Sequence, residues 1–369
     1  MTLTWTTSGE SHGEGLIAIL EGLPAGLHLD LELIKAGLAR RWEGYGRGPR
    51  AKFEKDVLEC LSGLKKGVTL GTPLTLLIKN SDKSIDTLPN LKAPRPGHVD
   101  LPGAQRLQNR DLRAVLERAS ARETAARTAL GEVARQLISR FGISVDSEVV
   151  SIAGIPYSEK SSWQGAVDKA REEGDSVGGR FIVRATGVMP GIGSYFQANQ
   201  RLDARLIAIL ASIPAIKSVS IGDGASADTF KGSDFHDPIV LDPDCWGQIG
   251  RDSNHAGGIE GGLSNGQEIF LEAVIKPIPT LRKGIASIDL EKMKPLRSTY
   301  ERSDICVVET AAVVGEALVA LELGSALCSR LGNVSLAEMS KIFSELSKNS
   351  TPSTWSNDLS ALECSTHFD

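Results

Sequence analysis

Apolar positions along the chain follow two periods. Leu3-Thr4-Trp5 and Leu16-Ile17-Ala18-Ile19-Leu20 are short apolar runs on either side of a polar segment, Gly9-Glu10-Ser11-His12-Gly13, which predicts strand, tight turn, strand. Val68 to Asn80, Ser144 to Ile155, the stretch around Phe181, Val183 and Ala185, and the alternation Ile269, Leu271, Ala273, Ile275 predict further strands. Helical spacing appears at Leu31, Ile34 and Leu38 behind Asp30, and again from Leu202 to Ile213. Two longer segments are rich in small residues. One opens at Arg118-Ala-Ser120-Ala-Arg122-Glu123, with Ser120 and Glu123 spaced as a capping box, and runs to Phe141 ahead of Gly142. The other runs from about Val307 to Leu331 ahead of Gly332 and is apolar nearly all round, so it is predicted to be buried. Ser335 and Glu338 form a last capping box.

The two long helices share a short likeness. Glu123-Thr-Ala-Ala126 and Glu309-Thr-Ala-Ala312 each follow a glycine-rich turn, a strand and an Arg-plus-polar pair, Arg118/Ser120 and Arg302/Asp304. This weak internal repeat predicts two similar halves around one core, with site residues from both. Residues 1–349 read as one domain and residues 350–369 as a polar, mobile tail.

Composition narrows the class. The 369 residues are 41% hydrophobic and 24% charged, ordinary for a globular chain with a sizeable core, and the net charge of -5 argues against nucleic-acid binding across the whole surface. Five scattered cysteines (Cys60, Cys245, Cys306, Cys328, Cys364) lack the paired spacing of a metal site and read as reduced thiols in a cytoplasm. No eighteen-residue run is uninterruptedly apolar, so no membrane span is expected. No signal peptide is read at the N-terminus, so the sequons at Asn333 and Asn349 carry no weight.

Candidate chemistry gathers on loops. His12, at the glycine-flanked turn, is suited to proton transfer near neutral pH, although a solvated turn histidine would give the same pattern. Arg40, Arg41, Arg47 and Arg50 fall within eleven positions, interleaved with glycines. Arginine forks bind carboxylate and phosphate oxygens, so an anion site is favoured over a solvated basic loop. Pro94-Arg95-Pro96-Gly97-His98-Val99-Asp100 is stiffened by two prolines and presents a second histidine as an acid–base candidate. Arg118 and Arg122 flank a helix start whose free N–H groups attract anions. Gly222-Asp-Gly224 imitates a dinucleotide fingerprint, but no periodic helix follows it. His236 and His255 read as solvated or locally hydrogen-bonded.

Together these motifs resemble the chorismate synthase family. Gly9-Glu-Ser-His-Gly13 is similar to its N-terminal signature, Arg118-Ala-Ser-Ala-Arg-Glu-Thr124 to its central one, and Arg302-Ser-Asp304 with the helix that follows to its C-terminal one. Gly44 to Gly48, Pro94 to Asp100, Gly174 to Gly178 and Lys276 to Thr280 match as well. The resemblance implies an α+β fold, a β-α-β sandwich with central small-residue helices between antiparallel sheets, assembled as a homotetramer. It implies a lyase that uses reduced FMN to eliminate phosphate from 5-enolpyruvylshikimate 3-phosphate, with no net redox change, and that makes chorismate for aromatic amino-acid biosynthesis. Some members reduce their own flavin with NADPH, so NADPH is implied only as an indirect reductant.

By the same resemblance, His12 is an acid near the leaving phosphate and His98 protonates the reduced flavin, with Ser11, Ser120 and Asp304 assisting proton transfer. Arg41, Arg47 and Arg302 fall on the anionic-ligand site, with Arg50 a neighbour. Arg118, Ala119, Ser120, Ala215, Gly261, Lys276, Pro277, Ile278, Pro279, Thr280 and Arg302 fall on flavin positions. No metal is implied. The chain departs from the family pattern at Val99, Pro214, Ser218 and Ile305, and Glu309-Thr310 interrupts a small-residue segment at the start of the last long helix. Two rival readings are a non-catalytic flavin or nucleotide binder, against which the arginine cluster and two loop histidines count, and an NADPH-dependent flavin reductase, for which the chain offers no dinucleotide fold beyond the resemblance.

Overall fold

The first hairpin forms where the alternation places it. Thr4–Ser8 pairs antiparallel with Gly15–Glu21, so the turn between them carries Glu10, Ser11 and His12. A computed structural model describes residues 2–48, 56–301 and 303–358 of the chain. Its first sheet is antiparallel and four-stranded, in the order Thr4–Ser8, Gly15–Glu21, Leu74–Lys79, Val57–Ser62. Leu16, Ala18, Leu20, Leu74, Leu76 and Ile78 are fully buried on one face of it, as period-two alternation requires. The Thr124–Ser139 helix packs against these central strands.

A second, five-stranded antiparallel sheet has the order Ile216–Ile221, Ile269–Ile275, Gly179–Thr186, Ser144–Ile152, Ile155–Pro156. Phe181, Val183, Leu271 and Ala273 are fully buried in it. The Val308–Leu331 helix packs against its Ser144–Ile152 and Gly179–Thr186 strands, and the Leu202–Ala211 helix packs on that helix in turn. Val308–Leu331 is long and apolar enough to cross a membrane, yet 94% of its most apolar window is buried inside the fold, so it is a core helix.

The two long helices pack against one another, and their small residues explain how closely. An added Cβ on Gly131 would lie 2.1 Å from the carbonyl oxygen of Ala317, so the backbones are in contact there. Gly315 likewise leaves room for Phe181, Val183 and Leu210. One buried charged cluster ties these layers together. Glu316, 2% exposed, accepts both guanidinium nitrogens of Arg40 (2.7 and 2.8 Å), Arg135 (2.7 Å) and the Ser147 hydroxyl (2.7 Å). Leu31–Arg40 is capped by Asp30, which accepts from Glu32 N at 2.8 Å. The Ser335 cap also forms, accepting from Glu338 N at 3.2 Å ahead of Leu336–Lys348.

Several elements differ from the sequence pattern. Val68 to Asn80 is not one strand: it breaks between Val68–Thr69 and Leu74–Lys79, where Gly71 takes a φ of +76° and Pro73 has no N–H for a ladder. Ser120 does not open the long helix. It turns extended after the Arg113–Ala119 helix and caps a single 3₁₀ turn through Arg122 N at 3.3 Å, and the long helix begins at Thr124. Glu123 does not close the box. Its carboxylate takes the Thr7 hydroxyl at 2.5 Å and Arg127 at 2.8 Å. That helix ends at Ser139, and Gly142 lies in the turn beyond it with a φ of +78°. A Lys160–Glu173 helix, polar on most faces and anchored by buried Trp163, Val167 and Ala170, lacks a strong apolar period. The two sheets differ in strand number and order. Of the tail, residues 350–358 are described and residues 352–354 form one 3₁₀ turn.

Backbone contact between the core helices sets the sign of a glycine substitution. Helix propensity favours Gly131→Ala by about 1 kcal/mol, but overpacking a rigid contact costs roughly 1–3 kcal/mol. Gly131→Ala should therefore lower the melting temperature. Gly165→Ala, in a helix with open space around the added methyl, should raise it or leave it unchanged. Thermal unfolding of both variants checks this, and equal shifts would mean the helix contact is looser than the backbone spacing indicates.

Candidate active site

The first turns of both long helices open onto one cavity of about 450 Å³, which Thr124 lines from one helix and Thr310, Ala311 and Val314 from the other. Helix N-termini carry unpaired N–H groups and positive dipole charge, so the cavity is biased toward anions before any side chain is counted. The hairpin turn contributes Ser11 and His12, the proline-stiffened loop Arg95 and His98, and the arginine loop Arg41, Trp42 and Arg47.

His12 is held from behind. Glu117, 2% exposed, accepts from the His12 backbone N at 3.0 Å and lies 2.9 Å from Nδ1. Nδ1 therefore carries its proton toward the carboxylate, and Nε2 is the nitrogen left to exchange a proton elsewhere. The turn is pinned again by Asn80, whose side-chain amide donates to the Glu10 and Gly13 carbonyls at 2.9 Å each. Burial would raise the Glu117 carboxyl, but hydrogen bonds and charge from His12, with Arg113 behind, hold it below its ordinary value.

His98 has the same arrangement from a different loop. Its Nδ1 lies 2.5 Å from Asp100, which is completely buried and also takes Arg95 Nε at 2.7 Å and Arg95 N at 3.0 Å. Against the upward push of burial, Arg95 and His98 hold the Asp100 carboxyl far below the usual carboxylate range. Arg95 Nη1 also donates to Thr280 at 2.8 Å, which joins this loop to the Lys276–Thr280 segment. That segment is anchored in turn by the Ser176 hydroxyl, which donates to the Ile278 carbonyl at 2.7 Å.

Three guanidinium groups crowd one indole. The centres of Arg41, Arg47 and Arg122 lie 5.6, 5.7 and 5.8 Å from the Trp42 ring centroid. Their nearby counter-charges are Asp56, which pairs with Arg41 (3.4 Å) and Arg122 and accepts Trp42 Nε1 at 2.9 Å, and Asp304, which pairs with Arg47 at 3.1 Å. Among the described residues, three guanidinium groups gather on one indole in a largely desolvated place, where like charges are costly. Arg41 shows the consequence. Burial and its cationic neighbours Arg122 and Arg47 outweigh Asp56 and lower it to about 10.

The cavity is also lined by an apolar set, Ile213, Pro214, Ala215, Ile275, Ile278 and Pro279. Ala215 holds a left-handed φ of +72°, a strained conformation for a residue with a Cβ. Lys276 Nζ donates to the Gly97 carbonyl at 2.5 Å, and burial with Lys217 nearby lowers its ammonium below the ordinary value. Ser120 Oγ lies 3.2 Å from Ser11 Oγ.

Known proteins share this chain's sequence and shape. The chorismate synthase family profile matches residues 3–328. Chorismate synthase of Geobacter sulfurreducens is 43% identical over 378 residues, which cover 91% of this chain and 96% of that one. The enzyme of Thermoanaerobacter pseudethanolicus is 45% identical over 343 residues, covering 92% and 97%. This chain belongs to the chorismate synthase family. A crystal structure of chorismate synthase superposes with a TM-score of 0.78 at 36% identity, covering 95% of this chain and 98% of the other.

Most residues that match the family's motifs meet in the cavity: Ser11, His12, Arg41, Arg47, His98, Ala119, Ser120, Ala215, Lys276, Ile278, Pro279, Thr280 and Asp304 all line it. Arg50 and Arg302 lie outside the described residues. Arg118, Pro277 and Gly261 are not among the lining residues. Arg118 reaches away to the carbonyls of Thr7 (2.9 Å) and Gly9 (3.1 Å), where it braces the hairpin. Gly261 sits at the turn between Ile259–Glu260 and Leu263–Ser264, its carbonyl facing Arg201 at 3.3 Å. Arg40 leaves the arginine cluster for Glu316, and Arg122 takes the third place. His255 is bonded locally to Asp223 at 2.6 Å. Asp56, Trp42 and Glu117 complete the site without any sequence signature, because nothing in their spacing joins Asp56 to Trp42 or Glu117 to His12.

The depressed Asp100 carboxyl gives a pH signature. A group whose folded pKa lies below its ordinary 3.8 adds stability above that pH and loses it as pH falls below it. Asp100→Asn should flatten the fall of melting temperature below about pH 4, because no carboxyl remains there to protonate. At neutral pH it should cost roughly 3–5 kcal/mol, since Arg95 would be left buried without its partner. Melting temperatures of wild type and variant from pH 3 to 8 check both effects, and parallel curves would contradict the first.

Proposed function

We propose that this cavity converts 5-enolpyruvylshikimate 3-phosphate to chorismate and phosphate, using reduced FMN. The observation that carries the reading is the meeting, in one cavity, of a three-arginine cluster with two histidines each backed by a buried carboxylate. A substrate with one phosphate and two carboxylates calls for clustered guanidinium groups of this kind. A flavin or nucleotide binder would need neither a second anion cluster nor two oriented histidines.

The residues present fit a flavin. The apolar wall from Ile213 to Ala215 and from Ile278 to Pro279 suits a flat ring, while Ser120, Lys276 and Thr280 supply polar atoms at its edge. Bound and reduced, the flavin supplies electron density that eases departure of the phosphate. Arg41, Arg47 and Arg122 bind and orient the anionic substrate. His12, with Nδ1 fixed by Glu117, offers Nε2 as the acid for the leaving phosphate oxygen. His98, fixed by Asp100, offers a proton at the flavin edge, and Ser11, Ser120 and Asp304 are placed to assist. The elimination breaks one C–O and one C–H bond and forms a double bond, so it is redox-neutral overall. NADPH enters this reading only as an upstream reductant.

The wider reading follows the family. The long helices stand as central layers between the two sheets, giving a β-α-β sandwich. Residues 1–349 form one domain, and the enzyme acts in the cytoplasm as a homotetramer. Light scattering should give a tetramer mass, and a stable active monomer would contradict the assembly.

Purified protein with chemically reduced FMN and this substrate should release phosphate under anaerobic conditions. His12→Ala and His98→Ala should each slow single turnover by roughly 10²–10⁴-fold, the range for a positioned proton-transfer group. Only His98→Ala should disturb the spectrum of the reduced flavin. A wild-type rate for either variant would make that histidine structural.

A further inference from the structure

Glu309 and Thr310 occupy the first turn of the Val308–Leu331 helix, whose N-cap, Val307, makes no side-chain capping bond. Both turn toward the arginine loop. Glu309 Oε2 accepts from Tyr45 N at 2.6 Å and Oε1 from the Tyr157 hydroxyl at 2.6 Å. Burial and Glu309 push the Tyr157 phenol up to about 12, so it stays a donor throughout the neutral range. The Thr310 hydroxyl accepts from Arg47 Nη1 at 2.7 Å and donates to the Arg41 carbonyl at 3.1 Å, which uses its one proton and joins both arginines through one atom.

The loop needs such contacts. Gly44 and Gly46 hold φ values of +107° and +87°, so the chain from Arg41 to Gly48 has little intrinsic preference for this path. It is instead fastened at intervals to the segment ahead of the helix. Gly48 N donates to Asp304 Oδ1 at 2.6 Å and Ile305 N to the Gly46 carbonyl at 2.8 Å. Glu309 makes its bond directly above Gly44, where an added Cβ would lie 2.6 Å from its carboxylate.

We propose that Glu309 and Thr310 latch the arginine loop to the last core helix and so act as positioning residues for the anion site, resting on the reading of this cavity as the place where a phosphorylated substrate binds. Thr310 divides the attention of Arg47. With the hydroxyl present, Nη1 is shared between Thr310 and Asp304. Without it, Arg47 settles wholly on the carboxylate and offers less of its charge to a ligand. Glu309 does not line the cavity, so any effect of changing it reaches the ligand only through the loop.

Inorganic phosphate is the probe, titrated into the intact protein by thermal shift and by tryptophan fluorescence, since Trp42 lies within the arginine cluster. Thr310→Val keeps the shape and removes both bonds. It should weaken phosphate binding about tenfold, the scale of one charge-assisted hydrogen bond, with the ligand-free melting temperature little changed. Thr310→Ser should restore wild-type binding, and Glu309→Gln should weaken it in the same direction. In turnover, Thr310→Val should raise KM for the substrate more than it lowers kcat. If wild type binds phosphate and Thr310→Val binds it equally well, the latch is overturned while the anion site stands. If wild type does not bind phosphate, the anion-site reading falls and the latch with it.

Discussion

The constraint on which the rest of the structure depends is the close approach of two helices. Gly131 against the Ala317 carbonyl lets Thr124–Ser139 and Val308–Leu331 meet at backbone distance. Each helix then covers a different antiparallel sheet, and residues of both first turns come to line one cavity. Small side chains give little apolar area apiece, so the contact is held by many short-range dispersion contacts and by exclusion of water rather than by a few large residues. A bulky residue at that crossing would separate the helix starts and open the cavity between them.

Charge is managed differently in the two polar regions between these layers. Around Glu316 opposite charges meet in pairs, Arg40 and Arg135 with Glu316 and Glu132, and with the Ser147 hydroxyl the cluster cross-links Leu31–Arg40, both long helices and the Ser144–Ile152 strand. Around Trp42, among the described residues, three guanidinium groups gather on one indole with Asp56 and Asp304 beside them. Burial makes that crowding of cations costly, as the lowered Arg41 shows. The two histidines follow a third rule: each is fixed through Nδ1 by a buried carboxylate, so its orientation is decided before a ligand arrives.

Much of this was legible along the chain. The hairpin carrying His12, the caps at Asp30 and Ser335, the strands with period-two alternation and the burial of the last long helix all follow from local pattern, because propensity and periodicity act over a few residues. His12, Arg47 and His98 stood out on loops rich in glycine and proline, where backbone freedom or stiffness is itself a signal, while Ser11, Ser120 and Asp304 were named through the family resemblance. What the sequence determined was therefore which residues are candidates for chemistry and which segments present them.

Which residues face one another was settled only by the tertiary structure. Arg40 and Arg41 are neighbours in sequence, yet one turns to Glu316 and the other to Asp56, because successive positions on a helix end point about 100° apart. Glu123 has the spacing of a capping partner but finds Thr7 and Arg127 nearer once the hairpin packs on the helix start. Glu117 reaches His12 across 105 residues, and Arg47 reaches Thr310 across 263, distances over which no local pattern carries information. A charged side chain takes the partner that burial puts beside it, and burial is a property of the packed layers rather than of any one stretch of chain.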